Sequence, residues 1–203
     1  MGGHAPAPVD PERRSTLWYA TAGWGHPPHG SRGGEAYPLH TRGAYPAILG
    51  ALMMVLLAET LAVHLFLQDR WPWAAWAATL LSAYSAMWLV ADYHAARWHP
   101  PTVHDVGLRV PVGLRWRAWI PWTAVADIRS HRPDDEDALH LVLSGSPDFW
   151  VELREPLPVR GPMGITKEVR TLGIGADDPQ ALRTRMEAWV AGSGSPEAEV
   201  EGP

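Results

Sequence analysis

The chain has no cysteine and a single lysine, Lys167, among its 203 residues. The first absence removes disulfides, thiolate metal sites and cysteine nucleophiles together. It leaves the compartment open, since a chain without disulfides fits any redox environment. The second leaves arginine as nearly the whole positive charge, and with abundant alanine, glycine and proline this bias suggests a bacterial origin. Dense basic runs are missing as well. Net charge is −5: residues 1–44 sum to +1, 45–103 to −1, 104–191 to −2 and the tail to −3. No segment has the positive footprint that nucleic-acid binding needs. Catalytic signatures are also absent. Gly173-Ile174-Gly175 is followed by Ala-Asp-Asp and not by the third glycine of a dinucleotide loop, and Lys167 has no serine nucleophile pattern around it. There is no phosphate-binding loop and no paired-histidine zinc motif. These gaps point away from an enzyme, and they imply no cofactor.

What is present is concentrated. The hydrophobic fraction of 46% is that of a soluble protein, yet the apolar residues gather between Tyr45 and Ala91. From Trp71 to Ala91 no residue is charged; a helix of that length spans roughly 30 Å, the hydrocarbon thickness of a bilayer. Trp71, Trp73 and Trp76 stand at one end and Trp88, Tyr93 and Trp98 toward the other, in two aromatic belts. Tyr45 to Gln68 makes a second span, interrupted by Glu59 and His64, and Asp69 and Arg70 join the two. The expectation is an antiparallel transmembrane hairpin, 45–68 and 71–93. Arg32 and Arg42 precede it and Arg97, Arg109, Arg115 and Arg117 follow, so both termini are expected in the cytoplasm, in a bacterial inner membrane. The run begins too deep in the chain for a secretory signal.

A ladder of small residues, Ala74, Ala78, Ser82 and Ala86, is expected to pack against Ala51, Ala58 and Ala62 of the first helix. Folding the hairpin sets Glu59 level with Ser82 near the bilayer middle, where a carboxylate must be neutral or paired. One expectation hydrogen-bonds it to Ser82, Tyr84 or a second copy. The other makes Glu59 and His64 a proton, cation or headgroup site, although five residues of helix point them some 140° apart. Haem ligation would need a second histidine level with Trp76–Ala78, and none is there.

The second helix should run about one turn beyond the lipid and stop at Pro100-Pro101. Asp92, His94, Arg97 and Trp98 are expected at the membrane interface, with Asp92 paired to Arg97 or His94. The histidines 94, 99 and 104 straddle the proline break, which argues for interfacial side chains over a metal site. Residues 1–44, rich in Pro and Gly, read as disordered apart from a possible helical turn near 15–22. Their His26, His29 and His40 could hold a metal weakly, but histidines in a disordered segment usually bind nothing specific. The acidic tail, 192–203, reads the same way.

Beyond residue 104 the apolar period becomes two. Leu108, Val110 and Val112, then Leu114, Trp116, Ala118 and Ile120, make a hairpin turning at Val112-Gly113. Strands are expected at 124–130, 138–144, 148–154 and 167–175, with the acidic run 134–137 as a hairpin loop. Asp178 and Pro179 open a helix with Leu182, Met186, Trp189 and Val190 on its apolar stripe.

The stretch Gly107-Leu-Arg-Val, Gly113-Leu-Arg-Trp, Ile120-Pro-Trp and Val125-Ala-Asp-Ile, closed by the Asp177-Asp-Pro helix start, resembles the bacterial pleckstrin-homology-like (PH-like) domains that follow two transmembrane helices. The resemblance covers residues 45–191 and implies an α+β membrane protein. A transmembrane hairpin would carry a PH-like antiparallel β-barrel or sandwich, residues 104–191, closed by one C-terminal helix. It supplies no catalytic residues. The connection 155–165, apolar for an exposed loop, is expected either to cap the barrel or to touch a partner through Leu157, Val159, Met163 and Ile165. The expected function is a membrane-anchored interaction or scaffold module, with the lipid bilayer and a partner protein or further copies of itself as partners. The alternative is a proton- or ion-handling or accessory subunit built on Glu59 and His64.

Overall fold

The computed structural model describes residues 16–22, 34–39, 44–133 and 137–193, with Met163 and Ser193 described by their backbone only. His26, His29, His40, Arg32, Arg42, the acidic residues 134–136 and the tail from 194 onward lie outside the described residues. Among the described residues there are four helices: α1 (Thr16–Ala22), α2 (Tyr45–Leu67), α3 (Pro72–Trp98) and α4 (Pro179–Ser193). Eight strands accompany them: β1 (Glu35–Ala36), β2 (Thr102–His104), β3 (Gly107–Val112), β4 (Trp116–Pro121), β5 (Val125–Arg129), β6 (Leu139–Leu141), β7 (Phe149–Arg160) and β8 (Thr166–Ile174).

Both long helices begin with proline in the first turn, where the missing N–H is an orphan donor in any case. They measure about 35 and 40 Å at 1.5 Å per residue and pack as an antiparallel hairpin. On α2 the less exposed residues are Leu49, Met53, Leu56, Thr60, His64 and Leu67, spaced by three or four and so on one face. On α3 the ladder residues Ala74, Ala78, Ser82 and Ala86 are partly buried, and the fully buried position is Ala75, beside the ladder. Ala51, Ala58 and Ala62 are exposed, contrary to expectation. The large α2 side chains fill the groove left by the α3 alanines, so a second small ridge there would leave the seam empty.

The rest of the hairpin surface is bare. Nothing in the most apolar 18-residue stretch of α2 is buried, and only 11% of the corresponding stretch of α3 is. Leu57, Phe66, Trp73, Leu80 and Leu81 are all more than 60% exposed. A core helix of a water-soluble protein would be covered; these two are not. Both are long and apolar enough to cross a membrane.

The strands form one sheet in the order β1-β2-β3-β4-β7-β8-β6, with β5 pairing β7. It curls so that β6 at one end approaches β3, a half-barrel around Leu108, Val110, Ile120, Phe149, Val151, Leu172 and Ile174. The sheet is mixed, whereas an all-antiparallel one was expected. β6 runs parallel to β8, and β5 pairs β7, so β5 and β6 are not partners in a hairpin.

The long connection 155–165 also differs. β7 continues to Arg160, and Leu157 and Val159 pair with Val169 and Lys167 with side chains in the core, 7% and 1% exposed. Pro156 falls within the register shift between Glu152 and Leu157, where a residue without an N–H breaks no ladder bond. Only residues 161–165 turn. Gly161 N donates to Ile165 O at 2.6 Å, and Ile165 N to Pro162 O at 3.1 Å.

Helix α4 starts where expected, with Ala181 N donating to the Asp178 carboxylate at 3.1 Å and Leu182 and Met186 fully buried. Trp189 stacks on Trp122 at 6.5 Å, and the Trp122 indole donates to His104 O at 2.9 Å. The Ile120-Pro121-Trp122 motif thus seats the C-terminal helix. Part of the region expected to be disordered is ordered. Glu35–Ala36 adds an edge strand to β2, Tyr37 and Leu39 enter the core, and Glu35 pairs with Arg185 at 3.1 Å. Two ladder residues are too few to show a period of two. Helix α1 docks on α3 through Tyr19, Ala91 and Ala95.

Candidate functional site

The last two turns of α3 leave the hairpin and enter the protein: Ala91, Asp92, His94, Ala95 and Ala96 are all buried. Three alanines there let α1 and the β3–β4 turn approach the helix closely. Asp92, 1% exposed, faces that turn. Gly113 at φ +54° bends the chain so that Leu114 N–H points at the carboxylate, 2.8 Å away. A Cβ on Gly113 would collide with the Asp92 side chain, so both the backbone conformation and the space require glycine. From the start of α2, the Tyr45 hydroxyl donates to Asp92 at 2.7 Å. The Arg115 guanidinium lies 3.3 Å from the same carboxylate, donates to Leu143 O at 3.2 Å and sits 6.0 Å from the Tyr45 ring.

One carboxylate therefore ties together the start of α2, the foot of α3, the β3–β4 turn and, through Arg115, the strand connection after β6. Its partners are Tyr45, Leu114 and Arg115 where Arg97 or His94 was expected. A buried carboxylate with two hydrogen bonds and an ion pair is satisfied. It acts as a mechanical joint, its two oxygens occupied by Tyr45, Leu114 and Arg115.

The other expected interfacial residues surround this joint. His94 is buried and edge-on to Tyr93 at 5.5 Å, Arg97 is partly buried, and Trp98 packs edge-on against Trp18 at 5.0 Å. His99 shares a 2.7 Å hydrogen bond with Tyr19, and His104 packs against Trp119. The three histidines occupy three separate environments.

Within the hairpin, Glu59, His64 and Ser82 do not converge. His64 Nδ1 shares a 2.8 Å hydrogen bond with Thr79 across the seam and packs edge-on against Trp76 at 5.2 Å. Glu59 is exposed on another side of α2, and Ser82 is partly buried on α3. Among the described residues no hydrogen bond or ion pair joins Glu59 to Ser82 or Tyr84. Of the four expected partner-loop residues, Leu157 and Val159 are core, the Met163 side chain lies outside the described residues, and Ile165 alone is 55% exposed.

Sequence reasoning missed Tyr45 and Arg115. The available signal was the single glycine in a two-stranded turn followed by an arginine, opposite the first acid after an uncharged helix. It needs the turn and helix to be adjacent, which one sequence does not reveal. Comparison with family models, curated proteins and solved structures gives no match to this chain.

Proposed function

We propose that the chain is a membrane-anchored, non-catalytic interaction module. α2 and α3 cross the bilayer as a hairpin, with both termini in the cytoplasm, and the curled sheet stands against the inner leaflet. One observation carries this reading: α3 passes without a break from a bare apolar section into a buried foot clamped to the sheet by Asp92. A flexible linker would merely tether a domain. A continuous helix with a buried joint fixes its orientation to the membrane, which suits a surface that must present itself to a partner protein or to further copies of the chain. The half-barrel with its C-terminal helix agrees with a PH-like domain in general layout, and the parallel β6–β8 pair departs from an all-antiparallel one. The burial of Asp92 and its bonds to Tyr45, Leu114 and Arg115 favour a structural role for this carboxylate over a catalytic one.

The test is photo-crosslinking of the full chain in native membranes, from positions such as His140 and Arg154 on the exposed side of the sheet. The expected result is a discrete protein adduct that disappears when detergent disperses the membrane. A chain recovered in the soluble fraction, or membrane-bound with no protein adduct from any exposed sheet position, contradicts the proposal.

A further inference from the structure

Two positions fix the height of the β7–β8 turn relative to the hairpin. The β3–β4 turn is bonded to Asp92 at the point where α3 becomes buried, level with the start of α2 through Tyr45. The β7–β8 turn lies beside it: Arg160 pairs in register with Arg117, and a Cβ on Gly161 would come within 2.7 Å of the Trp116 ring. β7 continues from Arg160 past Trp116 in the direction of the β3–β4 turn, so residues 162–165 reach the level of the hairpin foot. On this tip Ile165 is 55% exposed, and Arg160 is exposed beside the partly exposed Arg117.

We propose, resting on the membrane reading above, that this tip is a second membrane contact, seated in the headgroup layer of the leaflet the hairpin enters. Ile165 meets the acyl boundary, and Arg117 and Arg160 share lipid phosphates. Register partners on adjacent strands hold their Cβ atoms roughly 5 Å apart, within reach of one phosphate, and planar guanidinium forks are well matched to a phosphate's oxygens. Together with the two helices, such a contact gives the domain three attachment points and fixes its tilt.

The absence of native cysteine makes single spin labels clean. The full chain would be placed in nanodiscs with either purely zwitterionic lipid or a phosphatidylglycerol fraction, with I165C as the probe and L57C as the hairpin reference. The proposal expects both labels to be relaxed by oxygen over an aqueous nickel chelate, with I165C deeper in the anionic discs. R117Q/R160Q should lower the seated-to-lifted ratio about 25-fold, at roughly fivefold per basic side chain near an anionic surface. If L57C reports lipid while I165C reports water in both disc types, the tip contact is wrong and the hairpin stands. If inorganic phosphate alone immobilises I165C in zwitterionic discs, the arginines serve a soluble anion and the lipid contact is wrong. If L57C itself reports water, both fall.

Discussion

Removing the carboxylate at position 92 should loosen the sheet from the hairpin, and the size of the effect follows from its contacts. D92A deletes the acceptor of the Tyr45 and Leu114 hydrogen bonds, at 2.7 and 2.8 Å. Hydrogen bonds to a charged group contribute about 1.5–3 kcal/mol each. The ion pair to Arg115 is 3.3 Å long with the arginine side chain 32% exposed, so solvent screening limits it to about 1 kcal/mol. Arg115 keeps Leu143 O and some water, which softens the loss. The expected cost of D92A is about 4 kcal/mol. D92N retains an oxygen for Leu114 N–H and should cost about 1–2 kcal/mol, because only the charge and the optimal Tyr45 bond are lost. The assay is reversible unfolding of the full chain in mixed micelles, followed by circular dichroism. Y45F completes a double-mutant cycle: it should cost about 1.5–3 kcal/mol in the native background and close to nothing beside D92A. A D92A variant within about 0.5 kcal/mol of the native chain, the range of an ordinary surface change, refutes the joint. So does a Y45F cost that is the same in both backgrounds.

In the same assay G113A should cost more than G145A. Both sit at positive φ, but a side chain at 113 meets the Asp92 carboxylate while 145 faces open space, so G145A should cost about 1 kcal/mol and G113A at least twice that. L157A and V159A should each cost about 2–4 kcal/mol as core truncations, and I165S nearly nothing; equal and small effects would return 155–165 to the status of a loop. Asp127 is held below its ordinary 3.8 by Arg129 and then by the Ile128 N–H, so its contribution is present above pH 3.8 and fades as pH falls through the lower folded value. D127N should flatten the acid limb of the stability profile measurably only below that point, and an effect of equal size at pH 7 and pH 2 would count against the pairing. E59L should leave the hairpin at least as stable as the native one, since Glu59 is exposed on an apolar surface; a clear loss would mean that another chain holds the carboxylate.

The sequence made some of this structure legible because single elements announce themselves locally. An uncharged helical run with indoles at its ends, a glycine at a two-stranded turn and an aspartate before a proline each carry their own physics within a few residues. Long-range pairing does not. The β5–β7 and parallel β6–β8 pairs depend on which strands lie adjacent after the chain has crossed over, and strands such as Leu139–Leu141 look the same in either arrangement. The segment 155–165 reads as a connector by its length and composition; the strand runs on into it because Pro156 falls within the register irregularity between Glu152 and Leu157. Asp92 looked interfacial since it ends an apolar helix. Its burial comes from Gly113 and Arg115, more than twenty residues away in the chain. The small-residue ladder is partly buried on α3, where Ala75 beside it is the fully buried position, and its expected partners on α2 are exposed.

Lipid as the solvent of the bare hairpin surface is the central claim, and cysteine accessibility in sealed cells tests it most directly. Single cysteines at Asp69, Leu57 and His140 would be probed with an impermeant maleimide. The account predicts labelling of position 69 in intact cells, of position 140 only after the inner membrane is breached, and of position 57 only in denaturing detergent. Free labelling of position 57 in buffer, on a chain recovered without detergent, would contradict it.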